Sequence, residues 1–97
     1  MSGTAKATVL IDNERVIVTE YRFGKNDNTG WHRHGHDYIV VPMIDGRVRI
    51  ESTGGESFSD MKAGAPYFRK EGVEHDVISV GEGDFAFIEI ELKEKAR

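Results

Sequence analysis

A chain of 97 residues, 38% hydrophobic and 31% charged, holds material for one core and is read as a single domain over 1–97. A net charge of -4 with scattered Lys and Arg argues against nucleic-acid binding, and no apolar run suits a membrane span. The absence of cysteine excludes disulfides, thiolate zinc sites and a Cys nucleophile.

The start Met1-Ser2-Gly3-Thr4-Ala5-Lys6 is polar and precedes no secretory h-region, so the expected compartment is the cytoplasm. Ala7–Ile11 is a short apolar run. Arg15–Phe23 alternates as a half-buried strand, with Ile17, Thr19, Tyr21 and Phe23 sharing one face. Gly24–Gly30 is rich in Asn, Asp and Gly and reads as a loop.

Beyond it, Ile39–Ile44 is continuously apolar, which predicts burial on both faces, with Pro42 requiring an edge or a bulge. Asp45-Gly46 then predicts a tight hairpin into Arg47–Glu51. Further short strands follow at Ser57–Met61, Pro66–Arg69, His75–Val80 and Phe85–Leu92, separated by glycine-rich turns. The last residues, 93–97, are expected to fray. No helical period appears. The spacing is that of an all-β sandwich or barrel.

On the last strand Ala86, Ile88, Ile90 and Leu92 are expected to fill the barrel. That leaves Phe85 and Phe87 on the opposite face to be covered by a second copy or by the N-terminal strand, and a homodimer is the favoured reading.

The stretch Gly30-Trp31-His32-Arg33-His34-Gly35-His36-Asp37-Tyr38 gathers three of the four histidines within five positions. Alternate residues of a strand share a face, so His32 and His34 can pinch one ion, and His75 can supply a third nitrogen from a neighbouring strand. His36 lies about 13 Å from His32 along a straight strand, beyond a common ion, and is read as a cavity residue unless the chain bends at Gly35. The plainer reading is a histidine-rich loop without an ion and a His75 bonded to Asp76. Tyr38 packs, ligates or donates a proton. Arg33 and Asp37 form a solvated pair on the opposite face, Trp31 is core or rim, and Tyr67 and Arg69 either reach a bound carboxylate or stay on the surface.

These residues resemble the motifs of the cupins. The second cupin motif is matched by Gly64, Gly72 and His75 at the family spacing, with Lys70 at the proline place and Ser79 at the asparagine place (about 64–79). The first is matched by His32, His34 and Gly46 (about 30–46). Its glutamate place falls on Tyr38 or Ile39, its first glycine place on Asn26, and an extra residue near Pro42 suggests a bulge there. Gly30–Tyr38 together with Gly72-Val73-Glu74-His75-Asp76 is similar to the small bacterial cupins connected with β-alanine degradation.

The resemblance implies a single-domain double-stranded β-helix, or jelly-roll barrel, with a divalent transition metal (iron, nickel, zinc or manganese) held by His32, His34 and His75. Tyr38 or water then stands at the glutamate place, and the site retains positive charge that suits a small anionic ligand. The expected activity is a metal-dependent, dioxygenase-like reaction on a small anionic or amino-acid-derived molecule, with Tyr38 or His36 assisting proton transfer. The alternatives are a non-catalytic metal- or metabolite-binding cupin and a metal-assisted hydrolase or isomerase.

Overall fold

The computed structural model describes residues 3–93. Among these described residues nine strands form in chain order: β1 (Lys6–Asp12), β2 (Val16–Phe23), β3 (His32–Arg33), β4 (Asp37–Pro42), β5 (Gly46–Ser52), β6 (Gly55–Met61), β7 (Tyr67–Arg69), β8 (Glu74–Ser79) and β9 (Phe85–Leu92). They pair antiparallel into a five-stranded sheet, β1-β2-β9-β4-β7, and a four-stranded sheet, β3-β8-β5-β6. Among the described residues no helix forms, and so none is long and apolar enough to cross a membrane.

The inner faces of the two sheets meet over Phe23, Tyr38, Val40, Val48, Met61, Val77, Phe85 and Phe87. Phe23, Phe85 and Phe87 form a ring cluster with centroids 5.5–6.0 Å apart. β2 presents Thr19 and Phe23 to this core, on the face that its alternation predicts.

Several expectations are corrected. Asp45-Gly46 does not close a hairpin: β4 pairs with β7 and β9 whereas β5 pairs with β6 and β8, so this turn carries the chain between sheets. Gly46 is needed there for close approach, because a Cβ would run into the Phe85 ring. The tight hairpin is β5–β6, where Ser52 faces Gly55 across Thr53-Gly54. β4 is not buried on both faces. Tyr38, Val40 and Pro42 point inward and are buried, while Ile39 and Val41 point outward.

No bulge occurs at Pro42, whose strand pairs in unbroken register with β9 from Asp37–Leu92 to Pro42–Phe87. β7 stops pairing at Val40, so the missing N–H of Pro42 breaks no ladder on that side. The register shift lies in β1, between Val9 and Ile11.

β9 is also turned over relative to expectation. Phe85, Phe87 and Glu89 are buried inside, and Ile88, Ile90 and Leu92 face outward, because Phe85 pairs with the inward Phe23 and Ile90 with the outward Val18. Trp31 is exposed, which removes the core reading for it. The Asp37 carboxylate accepts from the Glu71 backbone N–H at 2.8 Å instead of meeting Arg33. Of the segment expected to fray, Lys93 is tied to Arg15 O and to Asp12, each at 2.8 Å, and 94–97 lie outside the described residues.

Candidate metal centre

The histidine stretch is not one strand. β3 ends at Arg33, the chain bends at Gly35-His36, and β4 resumes in the other sheet. His32 sits directly opposite His75 in the β3–β8 ladder, so their side chains share the inner face. His34, one step past β3, is held by its backbone: its N–H donates to Val73 O at 2.9 Å and its carbonyl accepts from Gly72 N at 2.8 Å.

The result is convergence of three imidazoles. His34 Nε2 stands 2.9 Å from His32 Nε2 and 3.1 Å from His75 Nε2. His32 Nδ1 lies 2.8 Å from Gly30 O, and since a carbonyl only accepts, Nδ1 carries the proton and Nε2 of the neutral ring offers a lone pair. Gly30 reaches this orientation at φ 87°, a left-handed conformation that suits glycine. Asp76, on the opposite face of β8 from His75, holds the same loop by accepting from Gly30 N and Asn28 Nδ2, each at 3.0 Å.

These atoms fit a cation. His34 Nε2 has two close nitrogen neighbours and one orbital to share, so one hydrogen bond cannot satisfy all three rings. Two nitrogens each about 2.0–2.1 Å from one ion, at roughly a right angle, stand about 2.9 Å apart. His32, His34 and His75 are thereby a group that could hold a metal. His36 is half-buried at the bend and is outside both this group and the lining of the adjoining cavity.

Tyr38, one of the two residues at which the cupin glutamate place is expected, is 2% exposed and stacks on His34, with centroids 3.8 Å apart and planes 15° apart. Burial drives its phenol pKa upward. Behind His34 lies a carboxylate that sequence reasoning missed: Glu89 Oε1 is 3.8 Å from His34 Nδ1, on the other side of the ring from the Nε2 cluster. Glu89, Glu91 and His34 form a second group with metal-ligand chemistry. The signal was present in β9, where Glu89 alternates with Phe85 and Phe87 on one face, as a buried acid would.

Beside the histidines a cavity of about 220 Å³ is lined by Tyr38, Tyr67, Arg69 and His75, with Ile50, Val73 and Val77 as its apolar wall. Register puts Tyr67 and Arg69 there: they pair with Val40 and Tyr38, and so share the inner face. The Arg69 guanidinium lies over the Tyr67 ring, 4.5 Å from its centroid.

Burial, then repulsion from His32 and His75, lowers the His34 pKa to about 3. Burial, then His32, lowers that of His75 to about 4, with Arg69 adding to this and Asp76 opposing it. Burial, then Glu91, raises Glu89 to about 7. Between pH 6.5 and 4 the unfolded chain takes up protons on both histidines that the fold refuses, so acidification destabilises. Between pH 7 and 4.5 folded Glu89 keeps a proton that the unfolded chain has lost, so acidification stabilises.

Two histidines against one glutamate leave about one net proton, worth roughly 1 kcal/mol per pH unit. The metal-free protein is expected to lose stability gradually from pH 6.5 to 4.5 and more steeply just below. Urea unfolding across this range checks it, and a stability that stays level or rises on acidification from pH 6.5 to 4.5 would contradict the assignment.

No family model matches the chain. It is 50% identical over 95 residues to the "Beta-alanine degradation protein BauB" of Pseudomonas aeruginosa PAO1, covering 96% of this chain and all of that one. A solved cupin domain from Bordetella pertussis Tohama I is 49% identical, with a TM-score of 0.94 over 97% of this chain and 98% of its own. A cupin superfamily protein from Desulfitobacterium hafniense DCB-2 is 15% identical, with a TM-score of 0.72 over 97% of this chain and 82% of its own; it shares the fold. With a double-stranded β-helix, motif histidines brought to one point and near-half identity to a cupin domain over almost its whole length, the chain belongs to the cupins, as a small BauB-like member.

Proposed function

We propose that this protein is a metal-dependent cupin enzyme of the dioxygenase kind, with a divalent transition ion on His32, His34 and His75 and a small carboxylate-bearing substrate in the adjoining cavity. The observation that carries the reading is the meeting of three Nε2 atoms, with separations of 2.9 and 3.1 Å, in a group whose member His75 lines that cavity. Three imidazoles suit iron(II), nickel and zinc, and hold manganese more weakly than these. When bound, the ion supplies a Lewis acid and an oxygen-binding centre.

The chain's own groups handle the substrate. Arg69 offers a charge-assisted, bidentate partner for a carboxylate. Tyr38 and Tyr67 remain protonated donors at neutral pH, since burial raises both phenols, that of Tyr67 to about 12. Ile50, Val73 and Val77 limit water. A cavity of about 220 Å³ takes a molecule of few heavy atoms, and the name of the 50% identical relative directs the search to carboxylates of β-alanine breakdown.

The test is elemental analysis of untagged protein, followed by oxygen uptake of the iron(II)-loaded protein over small carboxylates that include β-alanine and related three-carbon acids. Substrate-dependent uptake supports the reading. No uptake, with ligand binding retained, favours a non-catalytic metabolite-binding cupin. Arg69→Met is expected to raise KM or Kd for the carboxylate about 10–100-fold, from loss of a charged hydrogen bond, while metal content stays unchanged.

A further inference from the structure

The segment that leads into the histidines is laced along the edge of β8. Asn26 N donates to Ser79 O at 2.8 Å, Ser79 N to Asp27 O at 3.0 Å and Thr29 N to Val77 O at 3.0 Å, and Asn28 lies antiparallel to Ile78. Further on, His32 lies opposite His75. Three residues, Thr29, Gly30 and Trp31, separate these two pairs on one side, and two, Asp76 and Val77, on the other. The extra residue makes this step a β-bulge.

Its effect is to turn the histidines over. Asn28 belongs to the outer face of the sheet, where it lines a cleft with Asp76 and Ile78. Regular alternation would carry Gly30, His32 and His34 to that same outer face and set Trp31 opposite His75. The bulge reverses the alternation, so that His32 meets His75 on the inner face and Trp31 is left 54% exposed. The H-x-H pair reaches the inner face only through this one irregular step.

We propose that Asp76 is a positioning residue of the metal centre, a clasp that closes the bulge from the outer face and so aims His32 at the ion. The inference rests on the metal reading above. Its first support is the hydrogen bonding. Asp76 Oδ1 accepts from Gly30 N at 3.0 Å and Oδ2 from Asn28 Nδ2 at 3.0 Å, so one carboxylate holds the chain on both sides of Thr29, where the ladder becomes irregular. Gly30, fixed by its N–H at φ 87°, presents its carbonyl to His32 Nδ1 at 2.8 Å, which leaves Nε2 to face His34. Carboxylate, glycine and imidazole are thereby joined in series without Asp76 touching a histidine ring.

The second support is that Asp76 suits nothing else in its strand. Aspartate is depleted in strands, and in the β5–β8 ladder Asp76 stands directly opposite Glu51, a like-charge pair that costs stability. Its bonds to the bulge are the compensating interaction. The backbone bonds of Asn26, Asp27 and Thr29 to β8 do not involve its side chain, so the segment keeps its course when the clasp is removed.

Asp76→Ala in the full untagged chain is expected to weaken zinc(II) binding about 10–100-fold, the range for partners that orient a metal-ligating histidine, as read by competition against a chromophoric chelator. Asp76→Asn keeps an oxygen for Gly30 N–H and is expected to bind near the wild-type level. In the metal-free protein at about pH 8, where imidazoles are neutral, NMR of the ring nitrogens is expected to show wild-type His32 as one tautomer with its proton on Nδ1, and Asp76→Ala as a mixture of both. Circular dichroism should show the same β structure in all three. Gly30→Val adds a Cβ that meets no atom within 4 Å, and it is expected to fold and to lose affinity as Asp76→Ala does, because a β-branched residue does not hold φ 87°.

Wild-type affinity in Asp76→Ala or in Gly30→Val overturns the proposal, as does an unchanged His32 tautomer in Asp76→Ala. An Asp76→Asn loss equal to that of Asp76→Ala also overturns it, since the cause is then the missing charge beside His75. Failure of the wild-type chain to bind zinc(II), nickel(II) or iron(II) overturns the metal reading instead, and the clasp then stands or falls on the His32 tautomer alone.

Discussion

Substitution of His34 by alanine is expected to weaken binding of a divalent transition ion by more than about 100-fold, since loss of a ligand should exceed the 10–100-fold cost of losing an outer-shell partner. His34 is the middle member of the group, with its Nε2 in contact range of both other histidines. It is 3% exposed, and its ring is held between the stacked Tyr38 and the Glu89 carboxylate. Its backbone bonds to Val73 and Gly72 survive the substitution, so the loop should keep its course. Competition against a chromophoric chelator measures the change. His36→Ala is the control and should leave affinity unchanged, because His36 lies outside the group. Equal losses at both positions, or none at His34, would remove the three-histidine site.

Phe85→Ala is expected to cost about 3–5 kcal/mol, a large share of the roughly 5–15 kcal/mol that holds a small domain together. Phe85 is 2% exposed and packs against Phe23 and Phe87, where the interior has no means of closing the void. Gly46→Ala attacks the same contact from the other side. Its added methyl overlaps the Phe85 ring, an overpacking worth about 1–3 kcal/mol. The two changes should be coupled: in the Phe85→Ala background the methyl enters vacated space, and the cost of Gly46→Ala should fall towards zero. Urea unfolding of the four chains closes the cycle. Strict additivity would show that Gly46 is required for some reason other than this ring.

Much of the placement of strands along the chain was legible because alternation needs no partner. Phe85–Leu92 coincides with β9, and Arg47–Glu51 and His75–Val80 fall on β5 and β8 to within a residue or two at each end. The histidine cluster was also legible: an H-x-H pair and a distant histidine at motif spacing are a local pattern, and the structure gathers all three side chains into a group that could hold a metal. Asp45-Gly46 was misread because a turn signal reports a change of direction, while the choice between pairing back and crossing to the other sheet depends on which strands lie on either side.

What the sequence by itself determined is the set of elements and the donor groups they carry: short strands from period-two alternation, and three histidines as the candidate ligands in a chain without cysteine. Only the tertiary structure decided which way each strand faces. β9 has two apolar faces, so its own pattern leaves its orientation open. Pairing with Phe23 on one side and Val18 on the other resolves it. That choice sends Phe85 and Phe87 inward, brings Glu89 up behind His34, and leaves Ile88 and Ile90 outside. The physical reason is that a side chain's environment is set by residues far along the chain, and local periodicity carries no information about them.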